Sequence, residues 1–221
     1  MRISHRHRFV FFANPKTGSR SVRSLLDPHA EIHGVQASEV TDDFPFYNHM
    51  RPAELRPVFA ARGWPWEDYF KFTLVRSPFS RLVSLYEMVA YRESRVWSRF
   101  RSRAARHRGF RAWVRTLDPD GRGAAPEGVE ASVRRFGAYT LAGFAGDGTG
   151  ALLVDEVIRL EDIDDRVPEL MARLGLPAPA SVPLVGRGRY REEYRAYYDD
   201  TTRDLVGVMY AADLDRFGYA F

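Results

Sequence analysis

Phe9-Val10-Phe11-Phe12-Ala13-Asn14-Pro15-Lys16-Thr17-Gly18-Ser19-Arg20-Ser21 is the stretch on which the fold turns. Phe9 to Ala13 is an unbroken apolar run, the pattern of a strand buried on both faces in a parallel sheet. Asn14-Pro15 ends it. From Ser19 onward Val22, Leu25 and Leu26 fall at helical spacing until Asp27-Pro28 closes the helix. A strand that feeds a helix through a short loop points several unpaired backbone N–H groups at one spot. Gly18 allows close backbone approach there, Thr17, Ser19 and Ser21 add hydroxyl donors, and Lys16 supplies a movable positive charge. The loop therefore reads as an anion cradle, against the plainer reading of a capped helix start. Its lysine precedes the glycine and no leading glycine exists, the reverse of the nucleotide-triphosphate loop, which disfavours a standard Mg²⁺-nucleotide kinase.

The same grammar repeats downstream. Tyr69 to Val75 is aromatic and β-branched and reads as a central strand; Arg76-Ser77-Pro78 bounds it, with Ser77 placed to cap a helix that runs to about Arg95. An arginine at the strand end, followed by Ser84 two turns into the helix, makes a second set of phosphate donors. The plainer alternative pairs Arg76 with a carboxylate and packs Ser84 near the sheet. Pro52 to Arg62 and Asp162 to Leu174 read as further helices, Val154 to Leu160 as a third strand, and Thr202 to Asp213 as a last helix. Strands alternating with helices predict an α/β fold of three layers, a mainly parallel sheet flanked by helices, with ligands at the strands' carboxyl ends.

Composition bounds the rest. At 221 residues, 45% hydrophobic and 28% charged, the chain suits a single domain, residues 1–221, with a variable segment over about 92–150. The absence of cysteine excludes disulfide scaffolds, thiolate metal sites and cysteine nucleophiles. The apolar run near the N-terminus is too short for a signal-peptide core or a membrane span, so a soluble cytoplasmic protein is expected. Its 33 basic residues are 31 arginines and only Lys16 and Lys71, which marks those two as places where a compact point charge was preferred to a planar fork. The net charge of +4 gives little support to nucleic-acid binding.

Pro15-Lys16-Thr17-Gly18-Ser19, together with Val75-Arg76-Ser77-Pro78 and Arg81-Leu82-Val83-Ser84, resembles the two phosphate motifs of the sulfotransferases that use 3′-phosphoadenosine 5′-phosphosulfate (PAPS), especially the carbohydrate branch. Ser77 stands where asparagine or aspartate is commoner in that family. The likeness extends to Arg159-Leu160-Glu161-Asp162 and from Tyr197-Tyr198-Asp199-Asp200 through Phe217-Gly218-Tyr219, and is weakest between about Arg92 and Gly150.

The resemblance implies a P-loop-like architecture, PAPS as the donor with no metal required, and transfer of the sulfuryl group to a hydroxyl of a carbohydrate, glycolipid or other small acceptor. It further implies that Pro15, Lys16, Thr17, Gly18, Ser19, Arg20 and Ser21 hold the 5′-phosphosulfate, with Lys16 neutralising charge on the leaving oxygen. Arg76 and Ser84 would take the 3′-phosphate, and Arg187 and Arg189 of the Gly-rich segment would reach it from a C-terminal loop. His49 is the expected general base, favoured over His29 and His33 because related enzymes carry a histidine between the two motifs; Glu161 is the fallback. Asp162 is expected to cap the following helix. The nine arginines of Tyr91 to Arg115 read either as a solvated helical face whose aromatic side packs inward or as an acceptor lid. A non-catalytic nucleotide- or polyanion-binding protein and an atypical phosphotransferase are the competing functions.

Overall fold

The computed structural model describes residues 1–93, 102–117, 138–185 and 193–221. The chain divides into two compact units, Met1–Val75 with Phe144–Arg187, and Arg76–Gly143 with Gly188–Phe221.

The first unit holds the sheet: β1 (Arg2–Ser4), β2 (Phe9–Phe12), β3 (Ile32–His33), β4 (Phe70–Val75) and β5 (Glu156–Arg159), in the order β3-β1-β2-β4-β5. β2, β4 and β5 run parallel, with Phe12 opposite Thr73 and Val75 opposite Arg159, so their carboxyl ends form one row. β1 is antiparallel to both β2 and β3. The sheet is thus mixed rather than mainly parallel. Arg2-Ile3-Ser4 is too short to show a period, and its pairing is made by a tight turn in which Arg8 takes a left-handed φ of 52° and Ser4 Oγ accepts from the His7 N–H at 3.1 Å.

Period-2 alternation sorts the strands' side chains. Phe9, Phe11, Phe72, Leu74 and Ile158 pack on one face against Val22 and Leu26 of α1 (Ser19–Leu26) and Val167, Leu170 and Met171 of a later helix, Ile163–Arg173. On the other face Phe12 meets Trp66, and Trp66 meets Phe59 of α2 (Pro52–Ala61) at a ring separation of 5.1 Å. Helices on both faces make this unit the expected three-layer α/β arrangement.

The second unit is helical. α3 (Pro78–Glu93) and α4 (Arg103–Val114) share a core in which Leu82, Val83, Leu85 and Tyr86 meet Phe110, Trp113 and Val114. α5 (Leu141–Ala145) is a short turn where the chain passes between units, and Ile163–Arg173 is α6. The helix expected over Thr202 to Asp213 is two, α7 (Asp200–Met209) and α8 (Ala211–Phe217), because Tyr210 leaves helical geometry while its ring is buried and its hydroxyl donates to the Ala138 carbonyl. Among the described residues no helix is long and apolar enough to cross a membrane.

Candidate functional site

The loop leaving β2 has an unusual backbone. Lys16 and Gly18 both adopt positive φ, 66° and 79°, with Gly18 at the N-cap of α1. A non-glycine residue there costs about 1–2 kcal/mol, so the surroundings must hold Lys16 in place. Asn14 does much of this. Its Nδ2 donates to the Leu74 carbonyl of β4 at 3.2 Å, and its own carbonyl accepts from Thr17 Oγ1 at 2.8 Å. Gly18 lies against Leu160, just past β5, so closely that a Cβ would come within 2.5 Å of a leucine methyl. Glycine is favoured here by its φ, and a side chain in its place would also have to displace the Leu160 methyl.

Pro15, Thr17, Ser19 and Ser21 are buried, Lys16 and Gly18 half-buried, and Arg20 exposed. The Thr17 hydroxyl proton is committed to Asn14, leaving Thr17 its backbone N–H for a ligand. Ser21 Oγ accepts from the Val185 N–H at 3.1 Å and keeps its own proton to donate. The Ser21 N–H closes a turn on Gly18, whereas the Ser19 and Arg20 amides lie in the first turn, where helical geometry offers no acceptor. No carboxylate occurs from Asn14 to Ser21 or in the first turn of α1. A donor set of amides, hydroxyls and one ammonium fits a polyanion.

His49 stands beside this loop. Its Nδ1 lies 2.7 Å from the carbonyl of Ala13, the residue after β2. A carbonyl can only accept, so Nδ1 carries the proton and Nε2 the lone pair. Burial, followed by the nearby N-terminal ammonium, Arg23 and Lys16, depresses the imidazole to about 3, only partly offset by the Ala13 hydrogen bond. The ring is neutral across the physiological range. His33, by contrast, is exposed and contacts Ala30 through Nε2.

In the second unit the turn after β4 works with side chains. Arg76 Nε donates to Ser80 Oγ at 2.8 Å, and Ser80 and Ser84, one helical turn apart and both nearly buried, continue that row along α3. Ser80 was not foreseen, although its place midway between Arg76 and Ser84 is a legible signal. Arg81, 6% exposed, is committed to the fold: it donates to the Tyr139 carbonyl and stacks over Tyr210.

Glu161 is exposed and follows Leu160, which puts a carboxylate one residue beyond the side chain that packs on Gly18. Asp162 is the N-cap of α6 but makes no capping hydrogen bond; its carboxylate lies 3.4 Å from Arg159 instead. Arg187 and Arg189 lie outside the described residues, as do large parts of the 92–150 segment. Where that segment is described the inward-packing reading holds: α4 buries Phe110 and Trp113, while Arg111 donates to the Tyr197 and Tyr198 carbonyls and Arg115 pairs with Asp199 at 2.8 Å. The two lysines part company. Lys71 is buried in β4 with Nζ 2.6 Å from the Tyr69 carbonyl and 3.2 Å from Asp155, a structural tie, whereas Lys16 belongs to the loop. Among the described residues no group of histidines and carboxylates is arranged to hold a metal ion.

Comparison with known proteins adds one finding: a family model described as the sulfotransferase family matches residues 1–220. No curated protein and no solved structure matches the chain significantly.

Proposed function

Since the chain belongs to the sulfotransferase family, whose chemistry is sulfuryl transfer to a hydroxyl, we propose that it takes the sulfuryl group from PAPS and delivers it to a carbohydrate, glycolipid or comparable small acceptor. The carrying observation is the turn between β2 and α1. A lysine and a glycine in left-handed geometry, followed by first-turn amides and without any carboxylate, is a P-loop-like device for the 5′-phosphosulfate end of such a donor. Family members generally use PAPS, and the donor set here matches its charge.

The residues divide the work as follows. Amides and hydroxyls of Thr17 to Ser21 orient the 5′-phosphate, and Arg20 adds its backbone amide and a peripheral charge. Lys16 meets the bridging oxygen, where negative charge grows as the S–O bond to the nucleotide breaks. Arg76 and Ser84 take the 3′-phosphate through guanidinium and hydroxyl donors, while Ser80, accepting from Arg76 Nε and donating to the Ser77 carbonyl at 3.3 Å, holds the guanidinium in place. The Val185 tie to Ser21 brings the chain to the loop two residues short of Arg187, which supports a part for Arg187 and Arg189 in closing on the donor.

His49 Nε2 takes the acceptor's hydroxyl proton as that oxygen forms its bond to sulfur in line with the departing nucleotide oxygen, which keeps the bonding electron pair. Burial, the largest cause, and neighbouring cations hold this base near 3; a bound anionic donor offsets the Arg23 and Lys16 share and raises the imidazole from there. Glu161, exposed at the end of β5, serves as the secondary candidate base.

Calorimetry with adenosine 3′,5′-bisphosphate against ATP plus Mg²⁺ tests the donor, and transfer of labelled sulfate from PAPS into a mixture of glycans and small metabolites tests the acceptor. Preference for ATP plus Mg²⁺ returns the atypical phosphotransferase. Tight bisphosphate binding with no labelled product across a broad panel returns the binding protein.

A further inference from the structure

His49 sits in an irregular segment, where a side chain needed at one position must be held by something other than secondary structure. Three anchors bear on the argument beside the Met1 amino group, which donates to the Asn48 carbonyl. Val35 brackets the segment, donating to the Phe46 carbonyl at 3.1 Å and accepting from the Asn48 N–H at 2.8 Å, while Gly34 lies so near that a Cβ would come within 2.7 Å of the Tyr47 backbone. Ala13 accepts from the imidazole itself. The third anchor is Arg23, whose Nη1 donates to Oδ1 of Asn48, the residue next to His49.

Arg23 is an unusual arginine. It is half-buried, and burial together with repulsion from Arg2 and Arg20 lowers its guanidinium to about 10. Asp27, the carboxylate within its field, is already bonded by Arg2 Nε. A cation held among cations and aimed at a neutral amide is not explained as an ion pair. Its place on α1 supplies a reason, because the same short helix carries the cradle's amides in its first turn and Arg23 on its second.

We propose that Arg23 is a positioning residue for sulfuryl transfer: through Asn48 it fixes the turn bearing His49 to the helix whose first turn receives the donor. The proposal rests on His49 being the base, as argued above. Helix α1 then sets both the anchored end of the donor and the position of the proton acceptor, so the two keep their spacing when the helix shifts. Without the tie from Arg23 to Asn48 the turn keeps its Val35 and Ala13 bonds but is no longer fixed to α1, and a misplacement of about 1 Å costs on the order of 10²-fold in rate.

Two variants test it, Arg23→Met, which removes the charge and the hydrogen bond together, and Asn48→Ala, which removes the hydrogen bond and keeps the charge. The readouts are kcat, KM for PAPS, and the ¹⁵N and ¹³C resonances of the His49 ring through a pH titration. Groups facing the ring are the Met1 ammonium, Arg23, Lys16 and the Ala13 carbonyl. Both variants are expected to lose about 10–10² in kcat with KM for PAPS unchanged, and to turn a single Nδ1–H tautomer into a mixture. The His49 midpoint should rise in Arg23→Met, which loses a neighbouring cation, and stay low in Asn48→Ala. An unchanged kcat, or a loss confined to KM, overturns the positioning role. Unaltered His49 ring resonances in both variants overturn it even if the wild-type chain transfers no sulfuryl group, which separates this failure from failure of the proposed function. If Arg23→Met does not fold, as judged by circular dichroism, Asn48→Ala carries the test.

Discussion

The two strand-to-helix turns that follow β2 and β4, both proposed to hold the donor, are built from different parts. The first is built from backbone: left-handed Lys16 and Gly18, first-turn amides, and an asparagine that stitches the loop to β4. The second is built from side chains, with Arg76, Ser80 and Ser84 in a row along α3 and a proline rather than a glycine opening the helix. A backbone grip tolerates most side-chain changes but fails if its geometry is lost. A side-chain grip weakens residue by residue. The difference also explains why one turn needs an extensive buried scaffold and the other needs only a stable helix.

That contrast can be broken in order of effect. Lys16→Ala should lower turnover by about 10²–10³ while bisphosphate affinity largely survives in calorimetry, because the amides remain. Near-normal turnover contradicts the role given to Lys16. Arg76→Ala should do the opposite, weakening bisphosphate binding by about 10–100-fold as charged hydrogen bonds are lost, and unchanged affinity would remove the second grip.

The first turn lies beside a histidine whose pKa is depressed, and this sharpens the contrast. His49 is held at about 3 in the folded chain against an ordinary value near 6.5, so its contribution to stability is complete above about 6.5 and is lost as pH falls toward 3. Denaturation measured against pH should therefore show up to about 1.4 kcal/mol per pH unit less slope in that window for His49→Gln than for the wild-type chain. Identical slopes in the two proteins would contradict the buried neutral ring.

Gly18→Ala should destabilise the fold by about 1–2 kcal/mol through its left-handed φ, with the Leu160 contact adding to it, and a thermal melt reads this directly. Ser84→Ala is the mildest change, a loss of about two- to fivefold in bisphosphate affinity for one hydroxyl donor. If Ser84→Ala proved as damaging as Arg76→Ala, the graded side-chain grip would be wrong.

The central strands and the helices that follow them were legible because each signal is local. Phe9 to Ala13 is an apolar run and Tyr69 to Val75 an aromatic and β-branched one, both bounded by turn residues as buried strands are, and Gly175, at φ 70°, stops α6 where expected. Less was legible where three residues, Arg2 to Ser4, borrow their structure from distant partners, Arg2 pairing with His33, 31 positions away, and with Phe11, nine positions away. The break at Tyr210 was hidden for a similar reason, since it depends on a distant carbonyl of Ala138. In the proposed site the candidate residues were chosen by type, and the residues that pack against them were not legible. Asn14, Arg23 and Asn48 are ordinary polar residues until the chain places Leu74, Asn48 and His49 beside them.

Residue order alone determined the alternation of strand and helix and the glycine-bearing loop between β2 and α1, because hydrophobic period, glycine and helix-start chemistry act over a few neighbours. Tertiary structure decided the antiparallel edge of the sheet, the neutral state of His49 and the identity of its supports. Those depend on burial and on charges brought together from remote parts of the chain, and neither desolvation nor Coulomb energy can be read until the distances exist.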